Sequence, residues 1–367
     1  MSRHNIATVK PLVIFDQSRT ADRLEWRTLV ENECNNEPMM RPEYLGLLLH
    51  ETSETGLCAL YAGKGGGIVY PFILRELIAL PYCPPELTGY RDVTTPYGYG
   101  GPYIYGEVSD EDIKGFWDAL HLWSREHLVV TEFVRFALEL GRPRAPYPGR
   151  LIVKNKNIAR GLDSSLSEIW MDSEHKVRKN VNRARRNGLT VERDSEGRRM
   201  REFLEIYRST MARRGAKSFY SFDPSLFSRL NCSLKGCYQY FFTLQDGHAI
   251  STELILYSKD IAYSFLGGTD ESAYHHRPND LLKFEIIKWA LESGLKWYVL
   301  GGGYQPNDGI FKYKKSFAPH GEVPFYVGER ILDPIAYDGM MNARRKYEER
   351  EGYDWEPVSG HFPSYRA

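Results

Sequence analysis

The fold prediction depends most on residues 267–303, which have the sequence GGTDESAYHHRPNDLLKFEIIKWALESGLKWYVLGGG. An apolar run at 261–266 precedes them and predicts a strand. After an aromatic-rich loop, Pro278 stands just before an amphipathic stretch, 279–293, that predicts a helix. Residues 296–300 predict another strand, which ends in three glycines. Strand, helix and strand in this order are typical of a mixed α/β domain.

Further helices and strands precede this stretch. Residues 173–187 and 197–214 predict two helices. Residues 238–244 and 250–257 predict the two strands of a hairpin, because the Gln-Asp-Gly sequence between them suits a tight turn. The second half of the chain is therefore expected to contain helices, then antiparallel strands, then a helix and a closing strand.

The first half of the chain has a similar order of elements. Its predicted helices are 22–32 and 110–127, and its predicted strands are 11–15, 47–51, 58–62, 67–71 and 129–137. Residues 141–150, GRPRAPYPGR, carry three prolines and two glycines and are typical of a linker. The sequence thus predicts two mixed α/β domains, 1–145 and 146–330, each a largely antiparallel sheet flanked by helices. A helical tail, 331–367, follows them.

The composition limits the class of protein. The 367 residues include 48 basic and 48 acidic side chains, so no global charge indicates a nucleic-acid binder, and DNA is not predicted as a partner. Five scattered cysteines predict neither a disulfide framework nor a metal site. No signal peptide and no apolar run of membrane-spanning length is present, so we expect a cytoplasmic protein that can still contact a membrane surface. No oligomeric state is predicted.

The predicted helix at 173–187 is strongly basic. Six cations and no acid lie within eleven residues of it: Lys176, Arg178, Lys179, Arg183, Arg185 and Arg186. Such a run can bind the phosphates of a nucleotide, of a lipid pyrophosphate or of RNA. A solvated charged face is the alternative interpretation.

A second unusual stretch is TTPYGYGGPYIYG at 94–106, with four tyrosines and four glycines. Bare backbone beside aromatic faces suits a rigid loop that lines a groove. This makes Tyr97 and Tyr99 candidate substrate contacts. A structural turn rich in Gly and Tyr is the alternative.

The three glycines at the end of the closing strand allow a close approach of other groups to the backbone. Exposed N–H groups of Gly301, Gly302 and Gly303 can bind a carbonyl oxygen as negative charge develops on it. The alternative is an ordinary strand end.

Three lysines follow in an aromatic segment, 311–317. If this segment is extended, Lys312 and Lys314 share one face, and Lys315 lies on the other. A lysine held beside aromatic rings is partly desolvated, so its charge acts strongly on a phosphate or on a developing oxyanion. A packed surface strand without a catalytic role is the alternative.

Several catalytic motifs are missing from the sequence. It contains no GxxxxGK[ST], no GxSxG, no GxGxxG after a strand, no HExxH and no CxxC. These absences argue against hydrolase, kinase-type and dinucleotide-binding functions. The glycine-rich residues 61–71, YAGKGGGIVYP, are predicted to form a hairpin turn and not a phosphate loop.

The chain resembles the FemAB/FemX-like branch of the GNAT acyltransferase superfamily in segments that occur in one order. They are PYGYGGP at 96–102, HKVRKNVNRARRNG at 175–188, residues 267–303, and DGIFKYKKSFAP at 308–319. The resemblance implies a tandem pair of GNAT-like domains with a cleft between them. It also implies transfer of an activated acyl group to an amine, which forms an amide.

The resemblance leaves the substrates open. Aminoacyl-tRNA is the donor in members that modify cell-wall precursors, so tRNA is a potential partner, whereas other relatives would use an acyl-CoA. The long helical arm of many tRNA-using members and the usual acyl-CoA loop pattern are both missing here. The acceptor amine can belong to a cell-wall precursor, a polysaccharide or a natural product. No permanently bound cofactor or metal is implied. The alternative function is a non-catalytic module that binds a nucleotide-linked or lipid-linked precursor.

The resemblance also selects residues. In the FemX-like pattern a Phe-Lys pair precedes a Phe by three residues, and YKKSF at 313–317 has this register with a Tyr-Lys pair. Lys314 is therefore the expected catalytic residue. Asp308 or Tyr304 is a potential general base, and proton transfer assisted by the substrate itself is the alternative. The expected substrate contacts are Arg178, Tyr97, Tyr99, Tyr220, Gly301, Gly302, Gly303, Tyr304 and Tyr313.

Overall fold

The computed structural model describes residues 12–49, 52–63, 65–215 and 222–367. The strands in chain order are β1 (Val13–Asp16), β2 (Glu54–Ala62), β3 (Gly66–Glu76), β4 (Arg91–Thr94), β5 (Tyr103–Gly106), β6 (Val129–Arg135), β7 (Arg150–Gly161), β8 (Thr190–Asp194), β9 (Tyr238–Gln245), β10 (His248–Tyr257), β11 (Ile261–Thr269), β12 (Trp297–Gly302) and β13 (Glu322–Ile331). The helices are α1 (Thr20–Glu33), α2 (Pro42–Leu47), α3 (Asp110–Glu126), α4 (Leu166–Asp172), α5 (His175–Arg186), α6 (Met200–Arg213), α7 (Pro224–Ser233), α8 (Pro278–Glu292), α9 (Gly309–Lys315) and α10 (Pro334–Arg350).

The chain divides into two compact units. The described parts of residues 12–34, 39–154 and 326–367 form the first unit, and those of 35–38 and 155–325 form the second. Both units are assembled from separate segments, whereas the linker-like composition at 141–150 predicts contiguous domains. Among the described residues, no helix combines the length and the apolar character needed to cross a membrane.

The first unit is a mixed sheet in the order β1-β2-β3-β4-β6-β13, with β13 included from Tyr326 onward. Only the β4–β6 pair is parallel, and the others are antiparallel. Alternate residues of β3 face two different cores, as the period of a strand requires. Tyr70 and Phe72 pack with Phe116 of α3, and Val69 packs with Trp26 of α1.

The second unit repeats this design with the strand order β7-β12-β11-β10-β9-β8, with β7 included from Asn155 onward. The pair β11–β12 is parallel, and the neighbouring pairs are antiparallel. Phe241 of β9 packs with Trp289 of α8, while the adjacent Tyr240 packs with Phe203 of α6. Helices therefore cover both faces of this sheet.

One feature of the second sheet positions the site described below. The described register between β11 and β12 extends only over Ile261–Tyr263 and Trp297–Val299. Both strands continue beyond these partners, β11 to Thr269 and β12 to Gly302. The two parallel strands therefore separate after Tyr263 and Val299.

Two secondary-structure predictions are wrong. The structure has no strand at 47–49, where one was expected over 47–51, because α2 ends at Leu47. Residues 50 and 51 lie outside the described residues. Pro42 at the first turn favours a helix, and Leu45 lies buried against Val69 and Ile73. Local helix start signals therefore prevail over the apolar run.

The second error concerns 311–317, which is not extended: residues 311–315 belong to the helix α9, and 316–317 form a turn after it. The Asp308 carboxylate accepts a hydrogen bond from the Phe311 N–H at 2.7 Å and so caps this helix. Lys312 and Lys314 consequently lie on different sides of α9, with Lys312 exposed and Lys314 turned inward.

The buried Asp92 of β4 anchors the last residues of the first unit. Its carboxylate pairs with Arg75 at 2.6 Å and with Arg366 at 2.5 Å, and it accepts a hydrogen bond from the Tyr365 hydroxyl at 3.1 Å. The same hydroxyl lies 3.1 Å from Thr131 Oγ1. Tyr365 is fully buried, so water cannot take the place of these hydrogen-bond partners.

We therefore expect Tyr365→Phe to lower the free energy of unfolding by about 1–2 kcal/mol, because Asp92 and Thr131 lose a buried partner. Urea denaturation measures the change. Tyr353→Phe is the matched control, since Tyr353 is 66% exposed. An equal, near-zero effect of both substitutions would contradict the anchoring role of Tyr365.

Candidate active site

The end of β12 is built from glycines that the geometry requires. Gly301 has a φ of +82°, a backbone angle that residues other than Gly rarely adopt. A Cβ on Gly302 would lie 2.9 Å from Asn157 Oδ1 and 3.0 Å from the Lys156 carbonyl oxygen. Gly301 and Gly302 pair with Ile158 and Asn157 in the antiparallel ladder with β7. The backbone here is tightly held.

Lys314 extends from α9 to this strand end. Its Nζ donates a hydrogen bond to the Gly302 carbonyl oxygen at 2.7 Å. Among the residues that the structure describes, no carboxylate lies within 4 Å of this nitrogen. Burial lowers the pKa of Lys314 to about 7, with a further contribution from the nearby charge of Lys283. Both the amine and the ammonium form of Lys314 are therefore populated near neutral pH.

Asp308 serves as a structural cap. In addition to Phe311, its carboxylate accepts hydrogen bonds from the N–H groups of Tyr304 at 2.7 Å and Gln305 at 3.0 Å. Partial burial would raise the pKa of Asp308, but these N–H donors together lower it. A carboxylate whose pKa is lowered by backbone N–H donors is a poor proton acceptor near neutral pH. Tyr304 itself is 66% exposed.

A buried ion pair lies where β11 and β12 separate. Lys283 Nζ of α8 is 2.6 Å and 2.7 Å from the two carboxylate oxygens of Glu253 on β10. It also donates to Ser264 Oγ at 3.0 Å and to the Tyr298 hydroxyl at 3.1 Å. The Tyr298 hydroxyl in turn donates to Glu253 at 2.8 Å. The array thus connects β10, β11, β12 and α8.

Sequence reasoning missed this ion pair. The available signal was a charge within each of two largely apolar segments: Lys283 in LLKFEII, which also contains Glu285, and Glu253 in TELILY. Lys283 and Glu253 are at most 5% exposed. Charged side chains are almost never that buried unless they are paired, so the two segments could have been matched to each other.

Tyr313, next to Lys314, also faces the interior. Its hydroxyl is buried and has no hydrogen-bond partner among the described residues. Burial raises the pKa of Tyr313 well above its ordinary value, and the charges of Asp280 and Glu253 act in the same direction. Tyr313 is therefore a neutral hydroxyl with unused hydrogen-bonding capacity, within electrostatic reach of the ion pair.

Arg178 of the basic helix contacts protein carbonyls. Its Nη1 donates to the Met171 carbonyl oxygen at 2.8 Å and to those of Trp170 and Ser173. These carbonyls lie at the end of α4, where a cation is favourable. The arrangement gives Arg178 a structural explanation besides the predicted phosphate contact.

Four other cations of α5 form an exposed stripe. The buried side of the helix carries Val177, Val181 and Ala184. The exposed cations are spaced three, four and three residues apart, which places them along one face. They are Lys176, Lys179, Arg183 and Arg186.

The tyrosine-rich stretch 94–106 belongs to the first unit. The Tyr97 carbonyl oxygen accepts a hydrogen bond from the Tyr44 hydroxyl at 2.7 Å, and the Tyr99 N–H donates to Met39 Sδ at 3.1 Å. Burial raises the pKa of Tyr99. These contacts describe a packed turn. The predicted contact Tyr220 lies outside the described residues.

Comparisons with known proteins agree with this architecture. Residues 173–315 match the family model described as an acetyltransferase (GNAT) domain. The crystal structure of FemX superposes with a TM-score of 0.62 at 15% identity, covering 84% of this chain and 94% of that chain. The C-terminal DUF2156 domain of a candidate lysylphosphatidylglycerol synthetase from Agrobacterium fabrum superposes with a TM-score of 0.54 at 14% identity. The superposition covers 89% of this chain and 96% of that chain. A search of curated proteins found no match.

The predicted resemblance to FemX-like GNAT proteins is confirmed at the level of the fold. The predicted fold class, two GNAT-like mixed α/β halves, is confirmed with it. The matched segment contains the basic helix, the ion pair, the glycines and Lys314. Acyl transfer in general fits this domain type.

Proposed function

We propose that this chain, whose fold is that of the FemX-like GNAT proteins, is an acyltransferase that forms an amide from an activated acyl group and an amine. One observation carries the proposal. Lys314 is a partly buried lysine without a carboxylate partner among the described residues, and it is fixed at a glycine-rich strand end within the acetyltransferase-like segment. A desolvated amine held in this way costs stability, which a catalytic role explains.

In this reaction the acceptor amine attacks the acyl carbonyl carbon and a C–N bond forms. The carbonyl oxygen becomes an oxyanion, to which Lys314 donates a hydrogen bond from its protonated form. The intermediate then collapses, the bond to the donor's oxygen or sulfur breaks, and the proton lost by the amine nitrogen passes through solvent to that leaving oxygen or sulfur. Tyr313, with its unpaired hydroxyl, is the candidate neighbour for the substrate.

The donor is aminoacyl-tRNA or an acyl-CoA, and we favour aminoacyl-tRNA. The chain as a whole has no net charge, so a polyanionic donor must be attracted by a local patch of positive charge. The exposed stripe of Lys176, Lys179, Arg183 and Arg186 is such a patch and supports aminoacyl-tRNA as the donor. The acceptor is an amine of a cell-wall precursor, a polysaccharide or a natural product.

Salt dependence tests this choice of donor. If aminoacyl-tRNA binds along α5, its affinity falls steeply with salt, and Lys179→Ala/Arg183→Ala reduces the slope of log K against log salt by about two. Arg345→Ala/Lys346→Ala on α10 is the matched control, since both of these cations are also exposed. Filter binding at several salt concentrations measures both slopes. Equal slopes for the two double variants would remove the role of α5 and favour acyl-CoA.

A further inference from the structure

Two asparagine side chains of the second unit make no hydrogen bond among the described residues. Asn155 and Asn157 are two positions apart on β7, so their side chains share one face of the sheet. Asn157 is 4% exposed, and the Oδ1 atom of Asn155 is buried without a partner. A buried amide without a partner costs free energy and is rare in folded proteins. Two neighbouring amides of this kind indicate a site for a group from outside the chain.

Both amides lie over the bare backbone of Gly302. A Cβ on Gly302 would be 2.9 Å from Asn157 Oδ1 and 3.4 Å from Asn155 Nδ2. The antiparallel pairing of Gly302 with Asn157 fixes this arrangement. The carbonyl oxygen of Gly302 also accepts the hydrogen bond from Lys314 Nζ. The two amides and the proposed catalytic lysine therefore meet at one residue.

The amides and the helix that carries Lys314 lie on different faces of the sheet. Ile158 follows Asn157 on β7, so its side chain points to the opposite face. Ile158 packs in one core with Phe311 of α9. The helix α9 therefore lies on the face away from the two amides. A nucleophile held by the amides can thus approach an acyl carbon without displacing the hydrogen bond from Lys314 to its oxygen.

The buried oxygen of Asn155 indicates the chemistry of the missing partner. The carbonyl oxygen of an amide is only an acceptor, so its partner must carry an N–H or O–H donor. The terminal torsion of an asparagine is broad, so Asn157 can turn its own oxygen towards the same donor group. Two such oxygens match the two N–H bonds of a neutral primary amine, whose lone pair then stays free.

We propose that Asn155 and Asn157 bind the primary amine of the acceptor substrate. This assignment rests on the proposed function. Each Oδ1 accepts one N–H of the amine, and the lone pair of the amine attacks the acyl carbon whose oxygen Lys314 binds. The C–N bond forms, the bond to the donor's oxygen or sulfur breaks, and the amine's proton passes through solvent to that leaving atom. A secondary amine leaves one Oδ1 unpaired, so the site selects primary amines.

The amine site can be tested without an acyl donor. Trifluoroethylamine, a weakly basic primary amine, is added to the full chain, and broadening of its fluorine NMR signal measures binding. The Asn155→Ala/Asn157→Ala double variant should bind the amine about tenfold more weakly, which is the loss expected for two neutral hydrogen bonds. Asn32→Ala is the matched control, since Asn32 is an exposed amide on α1, and it should bind as the wild type does.

Two related probes and one stability measurement complete the test. Trifluoroethanol has a single O–H and N-methyl-trifluoroethylamine has a single N–H, so both should bind more weakly than the primary amine. The double variant should keep a urea midpoint near that of the wild type, because neither substitution breaks a hydrogen bond among the described residues.

The outcomes are distinct. Equal amine binding by the wild type and the double variant, or binding by neither, overturns the proposal. Equal binding of the amine and the alcohol would assign the site to a hydroxyl group, and a large fall of the urea midpoint would make the two amides structural; either result also overturns it. Asparagine-dependent amine binding without any acyl transfer would retain the site and reject the proposed function. Lys314-dependent transfer with an unchanged KM for the amine in the double variant would do the reverse.

Discussion

Replacing Lys314 by Met is expected to lower the rate of acyl transfer about 10²–10³-fold and to stabilise the fold at the same time. The rate falls because the oxyanion loses its hydrogen-bond donor. The fold gains about 1–2 kcal/mol because a desolvated amine is replaced by an apolar side chain of similar length. Urea denaturation measures the gain without any substrate, and Lys312→Met is the exposed control.

The sign of the pH dependence follows from the pKa. Folding lowers the pKa of Lys314 from its ordinary 10.5 to about 7, so the unfolded chain binds more protons between these values. The burial cost is complete below pH 7 and disappears as the pH rises towards 10.5. The advantage of Lys314→Met should therefore be largest at pH 6 and shrink by pH 10. A variant less stable than the wild type at pH 6 would show that the bond to Gly302 is structural.

Breaking the buried ion pair is expected to have the largest effect on stability. Lys283→Met or Glu253→Leu alone should cost about 3–5 kcal/mol, because each leaves one uncompensated charge in the interior. The double variant should cost less than either single one, since no buried charge then remains. A double-mutant cycle in urea measures the coupling between the two residues.

The exposed pair Lys156–Glu322 provides the control cycle. Its lysine side chain is 60% exposed, and its coupling should stay within about 0–1 kcal/mol. Additive effects of Lys283→Met and Glu253→Leu would contradict the ion pair as described.

Periodicity was sufficient for most of the fold. The helices at α3, α5 and α8 and the hairpin of β9 and β10 follow from spacing and turn residues alone. It failed at 311–317, because alternating aromatic and lysine residues also satisfy the period of a strand. The information needed was local: Asp308 precedes Phe311 by three residues, which is the spacing of a helix cap.

The site was predictable only in part. Lys314 came from a resemblance in one short motif, since spacing alone could not choose among three lysines. The pairing of Glu253 with Lys283 joins a strand to a helix across 30 residues of sequence. A charge in an apolar segment indicates that a partner is needed, but it does not specify which residue that partner is. The carbonyl partners of Arg178 likewise depend on how α4 and α5 meet, which composition does not reveal.

Donor consumption tests the central claim most directly. Purified wild type and Lys314→Met are incubated with acetyl-CoA or with labelled aminoacyl-tRNA and a panel of amines, and both donor loss and amide product are measured. The account predicts that the wild type consumes one donor with formation of an amide, and that the folded variant does so about 10²–10³-fold more slowly. Consumption at an equal rate by both proteins, or amide formation from neither donor, would contradict it.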